Sequence, residues 1–256
     1  MSNLKKPPKL ILRRVGRAIA DYAMIKDKDR ILLGLSGGKD SLSLLHILAH
    51  LQRYAPIKFE LGVITVDPQI QGFDPSPLKE YLAELGIAYF YCSQPIMEQA
   101  KKNLQRKSFC AYCARMKRGI MYRIAREQNY NVLALAQHLD DLAESFLMSA
   151  LYSGSLRTMK AHYTNDAGDI RIIRPLVYVR ERQNADFAVN LPVIQDSCPA
   201  CFTAPTQREH VKQLLANEES EHKDVLHNML HAMRPLMVKK GTPVDEKFLP
   251  LKDNIE

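Results

Sequence analysis

Residues 31–48 read ILLGLSGGKDSLSLLHIL, and three patterns follow one another within them. ILLGL is a short apolar run of the kind that fills a buried strand. Ser36-Gly37-Gly38 is a turn. From residue 40 to residue 54 the apolar residues Leu42, Leu45, Ile47 and Leu48 form an approximate helical stripe. A strand, a glycine turn and a helix in that order gather backbone N–H groups at one point, because glycine turns tightly and the first turn of a helix leaves its donors unpaired. The helix dipole makes that point favourable for an anion. Lys39 adds a full positive charge, and Ser36 and Ser41 add hydroxyl donors. Ser36, Gly37, Gly38, Lys39, Asp40 and Ser41 are therefore expected to cradle phosphate. The spacing is not that of the common P-loop, which would place Gly at position 33 and Ser or Thr at 40; Leu33 and Asp40 stand there instead.

Working outward, the first 150 residues alternate strand and helix patterns. Residues 59–66 (FELGVITV) read as a second buried strand, 67–77 as a Pro/Gly/Asp-rich loop, and 78–85 as a helix closed by Gly86. Residues 87–92 and 132–136 read as third and fourth strands. A helix follows Cys113, and another begins near Asp140 or Asp141. This alternation implies βαβ units in an α/β, Rossmann-like, doubly wound parallel sheet, which binds ligands beyond the carboxyl ends of its strands. Residues 166–169 look like a turn between two short strands, 191–194 like a fifth strand of the parallel series, and 207–233 like a small C-terminal helical extension. The expected organisation is a basic N-terminal helical segment over 1–25, the nucleotide domain over 26–195, and the second cysteine pair with the helical tail over 196–256.

A chain of 256 residues with 46% hydrophobic and 25% charged residues has the ordinary globular balance, which excludes disorder of the whole. No apolar run approaches the ~18 residues of a membrane span, and the N-terminus has no secretory pattern. The expectation is a cytoplasmic protein without membrane contact. Thirty-six Lys and Arg stand against 28 Asp and Glu, a net charge of +8. Six basic residues and no acid lie between Lys5 and Arg17, and nine and no acid between Lys101 and Arg126. A charge run is most often a solvated face. Two acid-free runs, one wrapped around a cysteine pair, point to a polyanionic partner. Phe109, Tyr112 and Tyr122 interleave with the second run, as stacking platforms or as core.

Four of the five cysteines form two C-x-x-C pairs, Cys110/Cys113 and Cys198/Cys201, with 84 residues between Cys113 and Cys198. In a reducing compartment such pairs bind metal more often than they form disulfides. Four sulfurs suit structural zinc or an iron–sulfur cluster. Cys92, in a strand pattern, reads as a small buried apolar residue.

SGGKDS resembles the PP-loop of the ATP pyrophosphatase superfamily, whose members share a Rossmann-like sheet, cleave ATP between the α and β phosphates, and adenylate a substrate oxygen. His138, Asp140 and Asp141 in AQHLDD resemble that superfamily's second signature. The order SGGKDS, C-x-x-C with following basic residues and Gly119, His-x-Asp-Asp, and a second C-x-x-C is similar to the tRNA 2-thiocytidine synthetase family. The likeness runs from about residue 11 to residue 233 and includes Asp67, Gly72-Phe73, the run from Ile173 to Leu176 and the run from Tyr178 to Glu181. The chain departs from that family in having Gln137-His138-Leu139 where paired histidines and Arg are usual, Ser153-Gly154-Ser155 for Gly-Gly, and Phe202-Thr-Ala for Gly-Ser-Gln.

The resemblance implies an enzyme that uses ATP, Mg²⁺ and a [4Fe-4S] cluster to replace the C2 oxygen of a tRNA cytidine, at position 32 of the anticodon loop, with sulfur. It implies that Asp67, His138 and Asp141 line the ATP site, and that Asp40 or Asp141 holds the metal ion. It implies that Cys110, Cys113 and Cys201 ligate the cluster, with Cys198 the alternative third ligand. Arg115, Lys117 and Arg118, beside Cys113, are the candidates for tRNA phosphates. Its partners would be tRNA and a sulfur donor such as a cysteine desulfurase, and such enzymes are commonly homodimers. Two other readings use the same residues. A PP-loop ligase that joins an amine has no need of the cysteines, and a zinc-stabilised RNA-binding protein has no need of ATP.

Overall fold

The computed structural model describes residues 4–70, 72–103, 109–194 and 206–238. An N-terminal helix α1 (Lys9–Asp21) precedes β1 (Asp29–Gly34), α2 (Lys39–Tyr54), β2 (Phe59–Asp67), α3 (Ser76–Leu85) and β3 (Ala88–Ser93). Then come α4 (Ile96–Asn103), α5 (Phe109–Glu127), β4 (Val132–Ala134) and α6 (Leu139–Ser153). The hairpin strands β5 (His162–Thr164) and β6 (Arg171–Ile173) lead to α7 (Glu181–Ala188), α8 (Gln207–Glu221) and α9 (Val225–Met233). The six strands form one sheet in the order β3-β2-β1-β4-β6-β5, parallel throughout except for β5 at the edge.

Alternation along the strands explains why both faces are covered. Ile31, Leu33, Val63, Val132, Ala134 and Ile173 enter one apolar cluster, and Leu32, Ile64, Leu133 and Ile172 enter another. α1, α2, α3, α6, α7, α8 and α9 put apolar residues into the first; α4 and α5 cover the second. In α1, Ile11, Val15 and Ala18 recur on one buried stripe, so this basic segment packs on the core through its apolar face. Among the described residues, no helix is long and apolar enough to cross a membrane.

Three expectations change. Residues 191–194 are not a strand of the sheet: Pro192 has no N–H to offer a ladder, and Ile194 instead donates its N–H to the Gly37 carbonyl at 2.9 Å. Helix α5 starts at Phe109, so Cys110 and Cys113 lie inside the helix rather than in a turn ahead of it. Cys92 is only half-buried, because β3 is the outer strand of the parallel series. Tyr112 and Tyr122 pack against the second cluster, the core reading of those aromatics.

Gly62 in β2 has the tightest surroundings. A Cβ there would lie 2.6 Å from Cζ of Tyr130 and closer still to its hydroxyl. That ring is itself held, with Arg30 5.2 Å above it and the Phe90 ring 5.8 Å away. The substitution Gly62→Ala is expected to destabilise the fold by about 1–3 kcal/mol through overpacking. Urea unfolding checks this: the midpoint should fall with an unchanged slope.

Candidate active site

Because β1 is central and parallel to β2 and β4, the chain leaves all three at one edge. That edge collects the 36–41 turn, Asp67 at the end of β2, and the 138–141 segment that opens α6. Gly37 has φ +87°, the left-handed region that favours glycine, and a Cβ on it would meet Ile194 at 3.0 Å. Ser36 N–H donates to Ser41 Oγ at 3.2 Å, Gly38 N–H to Ser36 Oγ at 3.3 Å, and Ser41 Oγ to the Gly38 carbonyl at 3.0 Å. The two hydroxyls thus shape the turn, while Gly38 caps the start of α2 without a side chain in the way. Asp67 accepts from Tyr91 Oη at 2.6 Å and from Gln69 N–H at 2.7 Å.

Lys39 is not idle. Its Nζ lies 3.0 Å from Asp40 Oδ2 and 3.0 Å from Glu181 Oε1. Burial works against its charge, but the two carboxylates outweigh burial and raise its pKa. Glu181 is held in turn by Lys212 of α8 at 2.9 Å. Burial would raise the Glu181 carboxyl, yet hydrogen bonds from Lys212 and Lys39 pull it down to about 2. The other Asp40 oxygen accepts from Asn184 at 3.1 Å.

His138 begins α6 with a reciprocal cap: its N–H donates to Asp141 at 3.0 Å, and its Nδ1 accepts from Asp141 N–H at 3.4 Å. With Nδ1 accepting, the ring proton of the neutral form sits on Nε2, which lies 3.4 Å from Asp141 Oδ2 and 3.8 Å from Asp40 Oδ2. Asp40, His138 and Asp141 therefore converge. Asp140 stays beside the ring, with its Oδ2 3.6 Å from His138 Nδ1, while it accepts from Arg180 Nε at 3.1 Å and Glu181 N–H at 2.7 Å. Buried Arg180 also forks onto Glu219 of α8 at 2.6 and 2.7 Å. The roles of Arg180, Glu181, Asn184 and Lys212 were not read from the sequence. The only local trace is the Arg180/Gln183 spacing that caps α7.

The cysteines stand over the same edge. Met121 of α5 packs on Gly34, the last residue of β1: its Sδ would lie 3.2 Å from a Cβ there. Cys113 and Cys110 precede Met121 by eight and eleven residues, so at 1.5 Å per residue they lie roughly 12 and 16 Å further along the helix. Three apart on a helix, they share one face; Cys110 is exposed and Cys113 half-buried, and neither is in a disulfide. Two adjacent thiols, one exposed and one half-buried, fit half of a thiolate-ligated centre. Among the described residues, no group of three His, Cys, Asp or Glu completes such a centre. Cys198 and Cys201 lie outside the described residues; Ile194, which binds the phosphate turn, is the last one described before them. Past Cys113, Arg115 is exposed, and Lys117 and Arg118 are half-buried.

Residues 9–197 match the family model described as a PP-loop domain. The tRNA-cytidine(32) 2-sulfurtransferase of Geobacter sulfurreducens is 42% identical over 228 residues, covering 88% of this chain and 89% of the relative. The enzyme of that name from Chromohalobacter salexigens is 38% identical over 89% of this chain and 81% of its own. The solved U34-tRNA thiolase NcsA from Methanococcus maripaludis, with its [4Fe-4S] cluster, shares the fold at a TM-score of 0.75 and 22% identity, over 90% of this chain and 78% of that one. The chain belongs to the PP-loop proteins and, among them, to the family of the tRNA-cytidine(32) 2-sulfurtransferases.

Glu144 lies behind the site. Burial pushes its carboxyl up to about 7 despite Arg208 at 3.0 Å. A carboxyl raised on folding favours the low-pH state, so its contribution is lost as pH rises from about 4.5 through about 7. Glu144→Gln keeps the shape and removes the titration. Melting curves should show the variant gaining on the native protein progressively across that window and levelling off above it; a parallel pair of curves would contradict the assignment.

Proposed function

We propose that this chain thiolates tRNA: it adenylates the C2 oxygen of cytidine 32 with ATP and replaces that oxygen with sulfur. One observation carries the reading. A helix-capped anion cradle and a helical cysteine pair rise from the same sheet edge, in a chain 42% identical to a tRNA-cytidine(32) 2-sulfurtransferase.

The chemistry follows from what these groups can do. A pyrimidine C2 carbonyl has a poor leaving oxygen. That oxygen attacks the α phosphorus of ATP, and pyrophosphate leaves toward the turn of Ser36, Gly37, Gly38, Lys39, Asp40 and Ser41. Lys39 and the N–H groups at the start of α2 meet its charge. Asp40 and Asp141, which face one another across His138, are the carboxylates to hold Mg²⁺, whose role is to neutralise phosphate charge. Asp67 closes the ATP site at the end of β2. A sulfur nucleophile then adds to C2, and the C2–O bond breaks as AMP departs with the oxygen. A [4Fe-4S] cluster held by Cys110, Cys113 and Cys201 (Cys198 being the other candidate) supplies a Lewis-acidic iron for that sulfur when bound. The exposed Arg115 with Lys117 and Arg118 holds tRNA phosphates near the thiols. Sulfur comes from a donor protein such as a cysteine desulfurase.

Protein isolated without oxygen should be brown and carry about four irons per chain, as a [4Fe-4S] centre requires. One equivalent of zinc and no iron under those conditions would remove the cluster from the reading. Lys39→Ala should cut ATP-dependent thiolation by about 10²–10³-fold, the usual loss for one donor to a developing anion, while the visible spectrum stays. Near-native turnover of that variant would show that the turn does not bear the phosphate charge.

A further inference from the structure

Behind Arg118, between α5 and the β5–β6 hairpin, lies an open pocket of about 850 Å³. Its lining includes Arg118, Lys160, Tyr163, Asn165 and Arg174. Asp166 is the one acid among the lining residues, exposed at the hairpin turn. Arg174 follows β6 directly, so it sits at the same sheet edge as the phosphate turn, and only 5% of it is exposed. Its Nε donates to Gln137 Oε1 at 2.8 Å and its Nη1 to the Lys160 carbonyl at 2.6 Å. Its guanidinium lies over the Tyr163 ring at 5.6 Å.

None of these partners is an anion. Among the described residues, no carboxylate lies within ion-pair distance of Arg118, Lys160 or Arg174. Burial depresses the Arg174 pKa; the Tyr163 hydroxyl acts against that shift and the Arg118 charge with it. Everywhere else in the site a buried arginine has its acid: Arg180 has Asp140 and Glu219. A buried cation surrounded by neutral acceptors and facing two more cations across open space is a net cost unless an outside anion completes it. The volume suits a nucleotide, and Tyr163 offers a ring beside the charges. The pocket is joined to the ATP side by one link, since Gln137, which holds Arg174, is the neighbour of His138.

We propose that this pocket seats a backbone phosphate of the tRNA, with Arg118 and Lys160 as its direct contacts and Arg174 as the buried counter-charge behind them. The inference rests on the tRNA reading above and adds the place where the RNA strand is anchored. Lys160 lends Arg174 only its main-chain carbonyl, so its side chain can be changed without removing that bond. tRNA binding by the full chain should therefore be measured across a range of potassium chloride concentrations for the native protein, Lys160→Ala, Lys160→Arg and the Arg118→Ala/Lys160→Ala pair. Loss of the seated phosphate in the Arg118→Ala/Lys160→Ala pair should flatten the log–log salt slope by about 0.7–0.9, and Lys160→Ala, which leaves Arg118 on the same phosphate, should flatten it by part of that. Lys160→Arg, which keeps the charge, should keep the slope. An unchanged slope in Lys160→Ala, with the native protein binding tRNA, overturns the pocket and leaves the tRNA reading standing. Failure of the native protein to bind tRNA better than a DNA hairpin of equal length overturns both. Titration with ATP and with pyrophosphate separates the remaining source of phosphate. Weakened binding of either by Lys160→Ala, with the tRNA slope intact, would assign the pocket to the nucleotide instead.

Discussion

The parallel pairing of β1 with β2 on one side and β4 on the other is the constraint on which everything else rests. It puts the carboxyl end of a central, fully covered strand at one edge, with two neighbours ending beside it. The turn that leaves such a strand has little room, and Gly37 meets that demand with a left-handed backbone while Ile194 closes over it. The helix that follows points its unpaired N–H groups at the space above the edge. Asp67 and the cap of α6 arrive at the same place because their strands are the neighbours of β1.

Above this edge the helices are tied together by charge as well as by apolar contact. Arg180 links Asp140 at the start of α6 to Glu219 in α8, and Lys212 links α8 to Glu181 at the start of α7. Arg180 is buried and its two acids are half-buried, whereas Lys212 is exposed. Removing the acids of Arg180 would leave a buried charge uncompensated, the costly case, whereas the Lys212 pair is weakened by solvent. The C-terminal helices therefore act as part of the frame of the nucleotide site as well as its outer layer.

Much of this could be read along the chain. Apolar runs marked the strands because a parallel sheet covered on both faces needs residues such as Leu32 and Leu33 pointing to opposite sides. The turn between β1 and α2 was legible because its residues are local: the glycines, Lys39 and the hydroxyls are consecutive. Residues 191–194 looked like a strand because they are apolar, yet Leu191 and Ile194 pack on the first cluster without entering the ladder. The start of α5 was misplaced because a C-x-x-C pair is compatible with a turn or with the first turn of a helix. Glu181 and Asn184 were beyond the reach of sequence patterns, since their meaning lies in contacts with Lys39 and Asp40 more than 140 positions earlier.

The sharing of Glu181 between Lys39 and Lys212 makes the site behave as an ion exchanger. Before any nucleotide arrives, Lys39 already has carboxylate counter-ions, so an incoming phosphate replaces one anion with another and does not meet a bare charge. Glu181 is not stranded by the exchange, because Lys212 still holds its second oxygen at 2.9 Å. Binding energy is then a difference between two ion pairings, which favours a polyphosphate able to gather several backbone N–H groups over a lone small anion. The swap leaves Glu181 paired with Lys212 alone, so α8 carries the counter-charge that the turn gives up.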